Sequence, residues 1–353
     1  MQTQEKDDYR EELLSKLDLA PVERNVVEIR GGKILIFGDL HLSSSYEGTH
    51  KNYALECLRN MYQILDITRE AKPSCVIFLG DIVGVKERTI KDRRFLREVI
   101  MFFKTLNERT NNNVYTVKGN HDIGDYTDFD LLLGLGLLKN PQYIDYYGKE
   151  ALEVRFHIVN YGEETKSLKM PSGSGASNVV LCHADIQIQG VTTWFYTNKG
   201  YQLSSMTNWA GVDMVIPGHI HTPSTEFSYT TLSNASVALF YPGSPSRVAE
   251  RFDDCWYLVF EYSTESETTD YDAKLFGLQK ASEVFFPKEE VIGEEEFDED
   301  QVRKDSLKTI IDEVLGSKLN RGSLFDQIDI FPASAKAKDL AKQYLQNAID
   351  GKF

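Results

Sequence analysis

The chain has 353 residues, with 39 Lys+Arg against 54 Asp+Glu and a formal net charge of −15. Charged residues are 26% and aromatics 11%, which excludes a disordered or fibrous chain and leaves room for one large domain with an appendage or for two ordinary ones. No apolar run is long enough to span a bilayer, since Leu131–Leu138 is already broken by two glycines, and the acidity argues at first sight against a nucleic-acid partner.

From the N-terminus, MQTQEKDDYREELL is acidic and lacks an apolar core, so no secretory signal is expected. Tyr9, Leu13 and Leu17 recur at i, i+4 and predict a short helix over residues 6–19. Cys57, Cys75, Cys182 and Cys255 form no CxxC pair, so a reduced, cytoplasmic environment is expected. The body then repeats one pattern, a short apolar run followed by Gly with Asp, Asn or His. Lys33–Phe37 leads into Gly38-Asp39-Leu40-His41, and Val76–Leu79 into Gly80-Asp81. Val114–Val117 leads, after Lys118, into Gly119-Asn120-His121-Asp122. Val179–Cys182 leads into His183, and Asp213–Ile216, through Pro217, into Gly218-His219-Ile220-His221. Such runs predict buried strands. Helical periodicity over Tyr53–Arg69 and Arg93–Asn107 separates several of them, which argues an α/β body with ligands at the strand C-terminal ends. Strand patterns at Ser236–Tyr241 and Trp256–Tyr262 predict a second sheet.

Past the body, Glu289–Asp300 holds eight carboxylates and no base, more than half of the net negative charge, and predicts a solvated linker. Val302, Leu307, Ile310, Ile311, Val314 and Leu315, then Leu340, Tyr344, Leu345 and Ala348, mark two amphipathic helices. They bury too little alone and either fold back on the body or dock on another protein. The expected organisation is an N-terminal helix and lead-in (1–32), the α/β body (33–285), the acidic linker (286–300) and a helical segment (301–353).

Five of the seven histidines, His41, His121, His183, His219 and His221, fall in the strand-end blocks beside Asp39, Asp81 and Asn120. Imidazole with carboxylate and amide oxygen, and no thiolate, suits Mn²⁺, Fe²⁺ or Zn²⁺ rather than a structural zinc. Two such metals sharing a carboxylate acidify a bridging water and clamp both oxygens of an in-line displacement at phosphorus. Asp39-x-His41 and His219-x-His221 are each expected to point to one side of an extended segment. An imidazole such as that of His121 suits an acid at neutral pH as a residue type, with a carboxylate partner fixing its tautomer.

The blocks GDLH, GD, GNHD, CHAD and GHIH across residues 38–221 resemble the calcineurin-like metallophosphoesterases. The resemblance implies two packed mixed β-sheets flanked by helices, with a small C-terminal helical appendage. It implies two divalent metals, Mn²⁺ foremost with Fe²⁺, Zn²⁺ or Mg²⁺ as alternatives. Asp39, His41, Asp81 and His221 would hold the first, Asp81 would bridge, and Asn120, His183 and His219 would complete the second. His121 would protonate the leaving oxygen or stabilise the phosphorane, and Asp122 would orient it. The block GDIVGVKERT lacks the Arg-Gly of protein Ser/Thr phosphatases, and GNHD replaces their GNHE. Tyr241–Arg247 (YPGSPSR) resembles the turn of the Mre-eleven/SbcD nuclease branch with its phage members, and equally that of small phosphodiesterases. It reads either as a plain Pro-Gly turn or as a loop carrying Ser244 and Arg247 to the substrate phosphate.

The long C-terminal extension favours the nuclease branch. This implies a DNA exo/endonuclease subunit in recombination or repair, located in the cytoplasm (or a phage host's). The C-terminal helices would join an SMC-like coiled-coil ATPase of the SbcC/Rad-fifty type, and a homodimer is a further expectation. The alternative is a nucleotide phosphodiesterase or phosphatase of the same fold, whereas a non-catalytic module would have lost ligands. The stretch KERTIKDRRFLREVIMFFKTL, with Lys86, Arg88, Lys91, Arg93, Arg94 and Arg97, reads as a solvated helix face or as a DNA-backbone track. Gly84 stands where many cellular members carry a histidine linked to exonuclease activity. With more than half of the net negative charge in one linker, DNA is not excluded, but its unaided binding is expected to be weak.

Overall fold

The computed structural model describes residues 26–44, 50–84, 89–124, 127–171, 175–188, 200–247 and 254–286. The chain divides into two units, Met1–Phe286 and Pro287–Phe353. The expected helices at 6–19, 302–315 and 335–349, and the acidic run at 289–300, lie outside the described residues.

In chain order the first unit runs β1 (Val26–Arg30), β2 (Lys33–Phe37), α1 (Tyr53–Ala71), β3 (Cys75–Phe78), α2 (Arg93–Arg109), β4 (Val114–Thr116) and α3 (Asp128–Gly134). It continues β5 (Tyr143–Tyr147), β6 (Leu152–Val159), β7 (Ser177–His183), β8 (Ile186–Gln187), β9 (Tyr201–Gln202), β10 (Met214–Gly218), β11 (Ser228–Leu232) and β12 (Ala235–Leu239). It closes with β13 (Cys255–Ser263), β14 (Thr268–Phe276) and α4 (Ala281–Val284). One sheet has seven strands in the order β1-β5-β6-β7-β10-β12-β11, the other five in the order β14-β13-β2-β3-β4, and β8-β9 form a small ribbon. Both large sheets are mixed: β2, β3 and β4 are parallel, as are β6, β7, β10 and β12, with antiparallel strands at the flanks. The late strands do not make a sheet of their own. The segment at 236–241 joins the larger sheet as β12, and that at 256–262 joins the smaller as β13, beside β2.

Strand side chains alternate faces, and here both faces are buried. Ile34 and Ile36 of β2 and Ile77 of β3 point between the sheets, where they meet Phe156, Leu181, Ile216 and Phe240. Leu35 and Phe37 of β2 and Phe78 of β3 point outward under Met61 and Ile64 of α1 and Phe95, Val99, Phe102 and Phe103 of α2. Val180 and Cys182 of β7 face a third cluster with Leu203, Met206 and Trp209. Two covered faces explain why these strands read as continuous apolar runs. Asp92 caps α2 by accepting from Arg94 N at 2.8 Å and Phe95 N at 3.3 Å. Among the described residues no helix is long and apolar enough to cross a membrane. All four cysteines are buried free thiols.

His157 on β6 is fully buried and sits against Asn178 Oδ1 at 3.1 Å. Burial is the main cause that lowers its pKa to about 4, opposed by the Asn178 hydrogen bond. Below its ordinary pKa of 6.5 the unfolded chain binds a proton that the folded chain refuses. Stability is therefore complete above that value and is lost as pH falls toward 4, by roughly 3 kcal/mol at most. A His157→Gln protein is expected to show a flatter fall in Tm from pH 7 to 4.5; an unchanged slope would remove His157 as its source.

Candidate metal centre

The seven expected ligands converge, although the chain delivers them from both sheets. Asp39 and His41 follow β2, Asp81 follows β3 and Asn120 follows β4, while His183 ends β7 and His219 and His221 follow β10. All leave the C-terminal ends of parallel strands, where loops from neighbouring strands meet. The backbone there is not extended as the x-spacing suggested. His41, Asp81 and His219 have φ of 46°, 45° and 76°, in the left-handed region that non-glycine residues rarely occupy. Such outliers mark places where the surrounding structure over-determines the chain. Two glycines permit the close approach: a Cβ on Gly119 would overlap the Asp81 carboxylate, and one on Gly218 would lie 2.5 Å from Asp39 Oδ1.

The donors form two groups, Asp39/His41/His221 and Asp81/His183/His219, each with ligand atoms within 4.8 Å of one another. In the first, His41 Nε2 and His221 Nε2 lie 2.9 Å apart, and His221 Nε2 lies 3.5 Å from Asp39 Oδ2. His41 Nδ1 is taken by Gly84 O at 3.1 Å, which leaves Nε2 to face the group. In the second, His183 Nδ1 donates to Leu79 O at 2.8 Å. Its Nε2 then faces Asn120 Oδ1 at 2.9 Å and Asp81 Oδ2 at 3.2 Å, and Asn120 Oδ1 also lies 3.0 Å from His219 Nδ1. Asp81 Oδ2 joins the groups, standing 3.8 Å from His41 Nε2. The buried Asp39 Oδ1 has no hydrogen-bond partner.

This donor set fits divalent cations. Imidazole nitrogens, carboxylate oxygens and an amide oxygen face one another at 2.9–3.5 Å, positions that a divalent cation would share once the ring nitrogens release their protons. The titration behaviour has the same origin. Burial would depress His183, yet the charges of Asp81 and Asp39 overcome it and push the ring up to about 10. Burial would raise Asp81, but His183 first, then His41 and His121, hold it well below the carboxylate range. Burial and then His221 lower His41 to about 4, which keeps it neutral as a ligand must be.

His121 belongs to neither group. Its backbone N–H donates to Asp81 Oδ1 at 2.8 Å, its Nε2 lies 3.9 Å from Asp81 Oδ2, and its side chain is 35% exposed. Asp122 does not orient it. Its buried carboxylate accepts instead from Ile82 N at 3.0 Å and Gly119 N at 2.9 Å, stapling the Asp81 loop to the Asn120 loop. Burial first, then Asp81, pushes it up to about 7.

Ser244 and Arg247 also differ from the expectation of phosphate contacts. Ser244 Oγ is buried, 2.8 Å from Asp39 O and 2.7 Å from Ser246 O. Arg247 is 3% exposed and faces the buried Glu56 of α1 at 3.8 Å. Asn60 of α1 donates to Pro245 O, and Tyr53 OH of α1 donates to His41 O at 2.9 Å. The turn and α1 together brace the Asp39–His41 loop from behind. Ser244→Ala is expected to cost about 1–3 kcal/mol and to weaken Mn²⁺ binding, read by thermal denaturation and calorimetric titration; unchanged Mn²⁺ affinity would detach the turn from the site.

Sequence reasoning missed Tyr161, whose ring centroid lies 6.3 Å from those of His183 and His219. Its one sequence signal is its position just past the apolar end of β6.

Residues 32–223 match the family model described as calcineurin-like phosphoesterase. The chain belongs to that family. It is accordingly a metal-dependent phosphoesterase, a hydrolase. Among solved structures it is similar to Yfce, a phosphoesterase from E. coli, at 13% identity over 70% of this chain and 100% of that one, with a TM-score of 0.33. It is also similar to a conserved protein of Streptococcus pneumoniae TIGR4, described as a predicted phosphoesterase, at 12% identity over 70% and 99%, with a TM-score of 0.29. No curated protein sequence matches significantly.

Proposed function

We propose that this calcineurin-like phosphoesterase is a DNA nuclease subunit that hydrolyses phosphodiesters with two divalent cations, Mn²⁺ foremost. The observation that carries the reading is a complete double donor set with one further histidine, His121, left unligated and exposed at its edge. Asp39, His41 and His221 would hold one cation, and His183, His219 and Asn120 the other, with Asp81 shared. Cations bound there supply Lewis acidity that lowers the pKa of water and neutralises charge on the phosphoryl oxygens.

The chain's own groups do the rest. Asp81 holds the His121 backbone, and the His121 imidazolium gives its proton to the leaving oxygen as the bond from phosphorus to that oxygen breaks. Neutral His41 and the Gly84 carbonyl keep one ring nitrogen directed at the site. DNA as substrate is supported by the exposed Lys91, Arg93, Arg94 and Arg97 at the start of α2, on the chain segment that follows Asp81. Lys86 and Arg88 lie outside the described residues. A coiled-coil ATPase holding the DNA would compensate for an acidic body, and the C-terminal segment is its proposed attachment.

The test is an Mn²⁺-dependent assay on labelled single- and double-stranded DNA, with and without the ATPase, beside bis-p-nitrophenyl phosphate and mononucleotides. Metal-dependent shortening of DNA is expected. Hydrolysis of the small diester with DNA left intact, even with the ATPase present, would make the enzyme a small-molecule phosphodiesterase.

A further inference from the structure

Tyr161 stands beside the metal centre without ligating and keeps 44% of its surface exposed. Its ring is edge-on to His183 and tilted against His219. A loop side chain so exposed gains little from its own packing, yet this one is anchored on both sides. Its backbone N–H donates to Lys118 O at 2.9 Å, tying it to the loop that carries Asn120 and His121. The next residue, Gly162, has φ of +81° and donates its N–H at 2.9 Å to Glu164 Oε1. Glu164 is 3% exposed, and its other oxygen accepts at 3.4 Å from the hydroxyl of Tyr201, itself 39% exposed. Asn208 Nδ2 in turn donates to Glu164 O at 2.9 Å. A buried carboxylate therefore joins the backbone next to Tyr161 to the hydroxyl of the exposed Tyr201.

We propose that Tyr161, braced through Glu164 and Tyr201, is a stacking platform for an unpaired nucleobase next to the phosphate being cleaved. This rests on the nuclease reading and deepens it. Aromatic rings take any base by its π-face, so the platform favours single strands without reading sequence. A base inside a duplex has no free face, so it must unstack before it can use the platform, at a cost that unpaired substrates avoid.

The test is calorimetric titration of the Mn²⁺-loaded full chain with 2′-deoxyadenosine 5′-monophosphate and with 2-deoxyribose 5-phosphate, which offers the same phosphate and no base. The wild-type protein is expected to bind the nucleotide about tenfold or more tightly. Tyr161→Ala removes that preference while keeping the sugar-phosphate affinity, and Tyr161→Phe, which keeps the ring face, retains it. Equal binding of both ligands by the wild type, or a preference that survives Tyr161→Ala, overturns the platform. Nuclease activity is read separately on DNA: intact DNA with the preference present leaves the platform supported and moves its ligand to a free nucleotide.

Discussion

His121→Ala is expected to lower turnover on phosphodiesters by roughly 10²–10⁴-fold, the range spanned by a positioned general acid, while both metal sites still fill. The split between turnover and metal content follows from geometry. His121 lies outside both donor groups, and its backbone N–H bond to Asp81 Oδ1 is one that alanine retains, while the 3.9 Å side-chain approach to Asp81 Oδ2 is lost. The side chain is 35% exposed, so truncation opens no buried cavity. Substrates with a good leaving group, such as p-nitrophenolate, need less protonation and are expected to lose less than DNA. Steady-state kinetics on both substrates beside metal analysis decides it. Near-wild-type DNA cleavage, or a loss of metal equal to the loss of rate, would assign His121 elsewhere.

Asp81→Asn is expected to be more severe, because it removes charge from the one carboxylate shared by the two groups. The amide oxygen still accepts from His121 N, so the loop is kept, but the attraction for cations falls at both sites. Bound Mn²⁺ is expected to drop below one equivalent, and activity by at least about 10²–10³-fold, the scale of losing one preorganised electrostatic partner. The metal-free protein offers a second readout. Although burial opposes it, the charges of Asp81 and Asp39 push His183 up to about 10 from an ordinary 6.5. The folded protein thus holds a proton that the unfolded chain releases. That contribution is complete below 6.5 and is lost as pH rises through about 10. Metal-free wild-type protein is expected to fall in Tm from pH 7 to 10, and Asp81→Asn to start lower and fall less. Parallel slopes would show that His183 does not carry the effect.

Much of this site is legible in the chain because its causes are local. A parallel strand covered on both faces must be apolar throughout, so β2, β3, β7 and β10 appear as short runs, and the first polar residues past them are the ligands. The helices Tyr53–Ala71 and Arg93–Arg109 show their periodicity in the same way, since one face of each meets Leu35, Phe37, Val76 and Phe78. Other elements hide. β1 has the edge composition VVEIR, with Glu28 and Arg30 exposed, and α3 takes in only the first part of the glycine-broken run Leu131–Leu138. Neither has two covered faces to enforce a pattern.

Composition and periodicity were enough to identify the residue types, their order and the strand ends that carry them, because each depends on a few neighbouring residues. Tertiary structure alone decided which lone pair faces which. Asp81 and Asp122 both stand in Gly- and Asp-bearing strand-end loops, yet one carboxylate opens to four histidines and the other closes on two backbone N–H groups. Ser244 braces Asp39 across 205 positions of chain, and Tyr161 reaches His183 and His219 only because β6, β7 and β10 lie side by side. Those partners are set by sheet order and register, which bring distant segments to one strand end, so no local window of sequence contains them.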